Sequence, residues 1–158
     1  MGSREPLTMK RKNTLFVDAD ACPVKEEILA IARSYDFEPV FVASYASYSA
    51  DREGKWVFVD QRKEAADLYI VNHAHPCDIV VTQDIGLAGL LTNRHVYVLT
   101  IRGQIVSEQN VDMLLSRRYQ AYRALNAGER IKGPKPFTRQ HRKNFSDALI
   151  NLLCRFDH

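Results

Sequence analysis

The chain is poor in cysteine and has no long apolar run. Its 158 residues include three cysteines, Cys22, Cys77 and Cys154, with no Cys-x-x-Cys pair. So odd and sparse a set excludes both a disulfide framework and a zinc ribbon, and suits a reducing compartment. No stretch approaches the roughly 20 apolar residues of a membrane-spanning helix, and the N-terminus lacks the apolar core of a secretion signal. A soluble, cytoplasmic protein without a membrane partner is expected. A Walker loop, a zinc finger, an RNA-recognition signature, internal repeats and low-complexity tracts are all missing from the sequence. What is present is an ordinary globular composition, 46% hydrophobic and 26% charged, which can bury the core of one domain without a staple.

Hydrophobic patterning divides that domain into alternating elements. Residues 1–13 are polar with scattered basic residues and are expected to be poorly ordered, with the single domain running over 14–158. Five strands are predicted: Thr14 to Asp18, Pro39 to Ala43, Trp56 to Val59, Asp78 to Thr82 and His95 to Leu99. Helices are predicted over 23–35, with Pro23 in the first turn, and over 63–74 and 85–92. After Arg102-Gly103 the pattern turns helical, over 111–126 and 138–156, with the breaker Gly133-Pro134-Lys135-Pro136 between the two. Strand-helix alternation argues for right-handed β-α-β units, hence an α/β fold: a mostly parallel, five-stranded, Rossmann-like sheet in three layers, extended by C-terminal helices.

Charge is unevenly distributed. The net charge is +3, but residues 102–158 hold 11 Lys/Arg against five Asp/Glu. An acidic first part joined to a basic last part suits a polyanionic partner. Arg117, Arg118 and Arg123 share a predicted helix with Tyr119 and Tyr122, while Lys132, Lys135, Arg139, Arg142 and Lys143 gather around the proline-rich turn. Such residues can neutralise phosphates and stack on unpaired bases. The spacing of Leu114, Leu115, Tyr122 and Leu125 equally fits a helix packed on the core.

The acids carry the chemistry. Asp18 and Asp20 end the first strand, Asp84 follows the fourth, and Asp67 lies one turn inside the intervening helix. If the first and fourth strands are neighbours, Asp18, Asp20 and Asp84 meet at one sheet edge, where open α/β sheets bind ligands. Crowded carboxylates repel one another unless a cation or a proton intervenes. An all-oxygen set suits Mg²⁺ or Mn²⁺, which can activate water and steady the departing oxygen of a phosphodiester. Asp20 and Asp84 also stand where an aspartate caps a helix. Lys25 can reach the same edge, to meet a phosphate or Asp20. Cys22, beside a helix N-terminus, is either a lowered-pKa nucleophile or a small buried side chain, and the want of an activating histidine favours the latter. His73-Ala74-His75-Pro76-Cys77 reads as a loop between a helix and a strand rather than a soft-metal cluster.

Four segments in order, Val17-Asp18-Ala19-Asp20-Ala21-Cys22-Pro23-Val24-Lys25, Ala65-Ala66-Asp67, Asp78-Ile79-Val80-Val81-Thr82-Gln83-Asp84-Ile85-Gly86-Leu87-Ala88 and Gly133-Pro134-Lys135-Pro136-Phe137, resemble the YaiI/YqxD family of bacterial proteins over residues 14–153. The resemblance implies a fold related to PIN-like nucleases, whose clustered acids bind divalent metal and cut RNA or DNA. It points to Asp18 as the central ligand with Asp84 opposite, and to Asp20 and Asp67 as partners, Glu64 being a weaker candidate for the part of Asp67. Gly86-Leu87-Ala88 stands where some such nucleases carry a further acid.

The expected function is thus metal-dependent phosphodiester hydrolysis, on RNA more than DNA, with Asp18, Asp20, Asp67 and Asp84 as catalytic and metal residues. Lys25, Arg117, Arg118, Lys135, Arg139 and Arg142 are the expected substrate-binding residues. Two alternatives stand beside it. Asp-x-Asp after a first strand also occurs in haloacid-dehalogenase-like phosphatases, where the first acid is the nucleophile. The fold could also serve as a non-catalytic nucleic-acid-binding or regulatory module.

Overall fold

The computed structural model describes residues 12–48, 52–62, 64–128 and 136–155. Short uninterrupted runs of β-branched and aromatic residues are what a sheet buried on both faces requires, and they form its centre. These are β1 (Thr14–Asp18), β2 (Glu38–Ser44), β3 (Lys55–Val59), β4 (Ile79–Val81) and β5 (Tyr97–Leu99). All five are parallel, in the order β3-β2-β1-β4-β5. The predicted count of five is one short. A sixth strand, β6 (Ile105–Val106), pairs antiparallel with β5 at the edge. Two residues are too few to leave a periodic signal. The turn before β6 contains Gly103 at φ +90°, where a Cβ would lie 2.6 Å from the Asn144 carbonyl oxygen, so only glycine lets the hairpin approach the last helix.

Alternate strand residues divide between two cores. Leu15, Val17, Phe41, Ile79 and Leu99 face α1 (Lys25–Ser34) and α5 (Arg139–Cys154), joining Ile28, Ala32, Phe145, Leu149, Leu152 and Leu153. Phe16, Val40, Val42, Val80 and Val98 face α2 (Ala65–His73), α3 (Ile85–Thr92) and the start of α4 (Val111–Asn126). Each fully buried Leu or Phe on α5 contributes about 1.5–3 kcal/mol of transfer free energy, so this helix is part of the domain's core.

Helices α1 and α5 start one or two residues later than predicted. Pro23 lies in a turn, and α1 begins two residues later. Thr138 is the N-cap of α5: its Oγ1 accepts from His141 N–H at 3.2 Å, and its own N–H donates to His141 Nδ1 at 3.1 Å. Residues 1–11 of the predicted disordered segment lie outside the described residues. Asn13 is held at the sheet, its carbonyl accepting from Glu38 N–H.

The connections create a crevice. The β1–α1–β2 unit builds outward from β1 in one direction, whereas α2 carries the chain from β3 back across to β4 on the other side of β1. Where successive connections diverge, the carboxyl ends of β1 and β4 are left uncovered, the usual place for a ligand in an open parallel sheet.

Candidate functional site

Asp18, Asp20, Asp67 and Asp84 all line one cavity of about 160 Å³ at that crevice, together with Ser44, Asp60 and Arg62. The neighbouring of β1 and β4 supplies Asp18 and Asp84, and the N-terminal turn of α2, which packs on the same face of the sheet as α3, brings in Asp67.

The environment of each acid differs. Asp18 is half-buried, and that burial is the main reason its pKa is raised. A hydrogen bond from Thr82 opposes the rise, while the charges of Asp20 and Asp84 add to it. Asp67 is pushed up to about 6, by burial first, then by the charge of Asp84, a hydrogen bond with the Asp84 carboxyl, Asp18 and Glu64. Below about pH 6 a proton on Asp67, hydrogen-bonded to the Asp84 carboxyl, relieves part of that repulsion. Asp84 also caps α3, its Oδ1 accepting from Leu87 N–H at 3.1 Å, and pairs with Arg118 at 3.7 Å. Asp20 does not cap α1. Its carboxylate accepts from Ser44 N–H at 3.1 Å and Ser47 Oγ at 2.9 Å, tying the turn after β1 to the end of β2. Among the described residues no three carboxylate, imidazole or thiolate groups form a finished metal shell. The donor chemistry nonetheless fits a hard divalent ion, because every candidate donor is oxygen and a cation would relieve the repulsion among the crowded carboxylates.

Thr82, which the sequence reading passed over, joins the two strand ends. Its Oγ1 donates to Asp18 Oδ2 at 3.3 Å and accepts from Asp84 N–H at 3.0 Å. In the sequence it is indistinguishable from any β-branched residue finishing a strand. Gly86 also gains a reason. A Cβ there would meet Arg118 Nη1 at 2.9 Å and Asp84 Oδ1 at 3.2 Å, so glycine opens the space in which the guanidinium reaches the acid.

The expected substrate-binding cations separate. Arg118 stands at the acidic crevice, and Arg117 is exposed on the same helix. Lys25 does not reach Asp20. Its Nζ donates to the Cys22 carbonyl at 2.7 Å, beside a different hollow lined also by Glu26, Glu27 and Arg142. Arg142 is occupied in packing, bonded to Glu27 at 2.6 Å and the Pro23 carbonyl at 2.8 Å and lying over the Phe137 ring. Arg139 is exposed at the start of α5. Lys132, Lys135 and most of the proline-rich turn lie outside the described residues. Cys22 is buried in the α1 core, and its thiol is pushed up by that burial, as a small core side chain rather than a nucleophile. His73 and His75 bond backbone carbonyls through Nδ1, of Tyr69 and His73 respectively.

Comparison with known proteins agrees with the four segments. The model of the uncharacterized YaiI/YqxD family matches residues 16–155. A UPF0178 protein of Bacillus velezensis is 46% identical over 154 residues, covering 96% of this chain and 92% of its own. One of Bacillus cytotoxicus is 43% identical over 148 residues, covering 94% and 97%, and one of Listeria welshimeri is 42% identical over 140 residues, covering 88% and 94%. No solved structure matches significantly. The chain belongs to the YaiI/YqxD family.

Proposed function

We propose that this member of the YaiI/YqxD family is a divalent-metal-dependent phosphodiesterase with a PIN-like three-layer domain, acting on RNA in preference to DNA. The observation that carries the reading is the crowding of Asp18, Asp67 and Asp84 in one polar crevice, with Asp67 held protonated up to about pH 6. Repulsion of this kind costs stability, and a site that keeps it gains something else in return.

Mg²⁺ or Mn²⁺, held by Asp18 and Asp84 with Asp67 beside them, would supply the positive charge that polarises a phosphodiester. Thr82 fixes the Asp18 carboxylate, and the start of α3 fixes that of Asp84. Asp67, ionised above about pH 6, accepts the proton of the attacking water as its oxygen bonds to phosphorus, while the bond to the leaving oxygen breaks and that oxygen takes a proton from solvent. Asp20 shapes the mouth by holding Ser44 and Ser47. That same attachment weighs against the phosphatase reading, which needs the second acid of Asp-x-Asp free to protonate a leaving group. Of the cations, Arg118 and Arg117 are placed to meet the phosphates.

The test is cleavage of labelled RNA with Mg²⁺ or Mn²⁺. Asp18→Asn, folded by circular dichroism, is expected to lose activity by about 100-fold or more, the scale of losing one preorganised electrostatic partner of the transition state. Unchanged cleavage sinks the assignment, and RNA binding without metal-dependent turnover favours the binding module.

A further inference from the structure

Among the described residues, helix α4 is supported over its first half only. It runs antiparallel to α3: Val111 and Leu115 lie over Gly89, and Arg118 lies over Gly86 and Asp84 at the start of α3. Eight further residues, about 12 Å of helix at 1.5 Å per residue, continue to Asn126 past the carboxyl edge of the sheet. The face that packs on α3 continues along this overhang as Arg118, Tyr122 and Leu125, flanked by Tyr119, and borders a hollow of about 470 Å³. Tyr119, Tyr122 and Leu125 are each about 60% exposed.

Charge selects the occupant. Residues 116–128 contain Arg117, Arg118 and Arg123 and no acid, and the Arg123 guanidinium lies 5.9 Å from the Tyr119 ring centre. A second copy docked here would set three arginines against three. An acidic protein would satisfy the charge but leaves the two exposed aromatic rings without a specific use. Flat apolar rings interleaved with phosphates match all of it.

We infer that the overhang of α4 is a platform for an unpaired nucleic-acid strand, on which bases stack against Tyr119 and Tyr122 while Arg117, Arg118 and Arg123 meet the phosphates leading to the acidic crevice. This deepens the nucleic-acid reading above and rests on it for the nature of the polyanion, but it needs no metal. Arg118 stands at the junction, paired with Asp84 until a phosphate displaces it.

Binding is measured with the full chain in EDTA, by fluorescence polarisation of a labelled, unpaired RNA of about 12 nucleotides, within the span one such surface covers. The same RNA annealed to its complement is the control. The unpaired strand is expected to bind about tenfold tighter than the duplex, and the double variant Tyr119→Ala/Tyr122→Ala to lose about tenfold or more, the worth of one or two stacked bases. Tyr119→Phe/Tyr122→Phe keeps the rings and is expected to stay within about twofold of the parent. Equal binding of duplex and single strand overturns the platform. So does parental affinity in the double alanine variant, or a dimer in sedimentation that this variant loses. Cleavage indifferent to Asp18→Asn, with strand binding still governed by the tyrosines, overturns the phosphodiesterase alone. Cleavage abolished by Asp18→Asn, with binding indifferent to the tyrosines, overturns the platform alone.

Discussion

Strands β1 and β4 are clasped by an aspartate at each end, and the two ends behave differently. At the amino end Asp78 is fully buried, its carboxylate accepting from Thr14 N–H at 3.0 Å and His75 N–H at 2.8 Å. At the carboxyl end Asp18 takes one hydroxyl, from Thr82, and otherwise faces Asp20 and Asp84. The first is a buried charge answered by backbone donors, which is how folded proteins tolerate one. The second is a half-buried charge answered mainly by others of its own sign. Burial alone therefore does not mark a functional acid; the sign of its neighbours does.

Removing each acid separates the two roles. Asp78→Ala leaves two buried N–H groups without an acceptor, at about 1–3 kcal/mol each, so urea unfolding should show a loss of about 3 kcal/mol or more. Asp18→Asn, so costly to activity, should leave stability unchanged or raise it by up to about 1 kcal/mol at pH 7, since it relieves repulsion. If both substitutions destabilise alike, the distinction between the two ends fails. Added Mg²⁺ or Mn²⁺ should raise the melting temperature of the parent and not of Asp18→Asn, because only a folded site gains by mass action.

The effect of pH is smaller and has a definite sign. With its folded pKa near 6 against an ordinary 3.8, Asp67 binds its proton more tightly folded than unfolded. Its contribution to stability is fully present below about pH 4 and is lost as pH rises to about 6. Because the side chain is only partly buried, solvent screening limits the change to about 1 kcal/mol. Denaturation midpoints in EDTA at pH 4.5 and 7 should show the fall in the parent and a smaller one in Asp67→Asn, where Asp18 alone keeps a raised pKa. Thr82→Val, an isosteric change, is expected to cost about 1 kcal/mol for its hydrogen bonds. Its cleavage rate should fall about tenfold, as Asp18 loses the bond that orients it; an unchanged rate would leave Thr82 a strand residue only.

Much of this was legible in the sequence because two-sided burial writes itself as unbroken apolar runs. Thr14 to Asp18 and 85–92 have the predicted ends, and strand ends place Asp18 and Asp84 together once β1 and β4 are neighbours. Periodicity says which residues share a helix face, but not what covers that face. Tyr122 and Leu125 therefore fit a core face alongside Leu114 and Leu115 as well as they fit a binding face, and the length of α4 relative to α3 leaves them exposed. Long side chains are harder still. Lys25 and Arg142 are near the acids in the linear motif or by charge, yet each found a carbonyl or carboxylate on the α1 side, a choice set by tertiary packing. Asp20 illustrates the same limit, since a short acid after a strand serves as ligand, cap or clasp according to what lies across from it.

The position of α5 has a consequence for how the protein is made. Phe145, Leu149, Leu152 and Leu153, all but inaccessible to solvent, complete the core over α1 and the centre of the sheet, yet they are more than 100 residues later in the chain than α1 itself. On the ribosome, Leu15, Val17, Phe41 and Ile79 would be translated long before the residues that cover them. One face of the nascent sheet stays sticky until residues 139–154 emerge, making this the stage at which a chaperone has most to offer and premature termination does most harm.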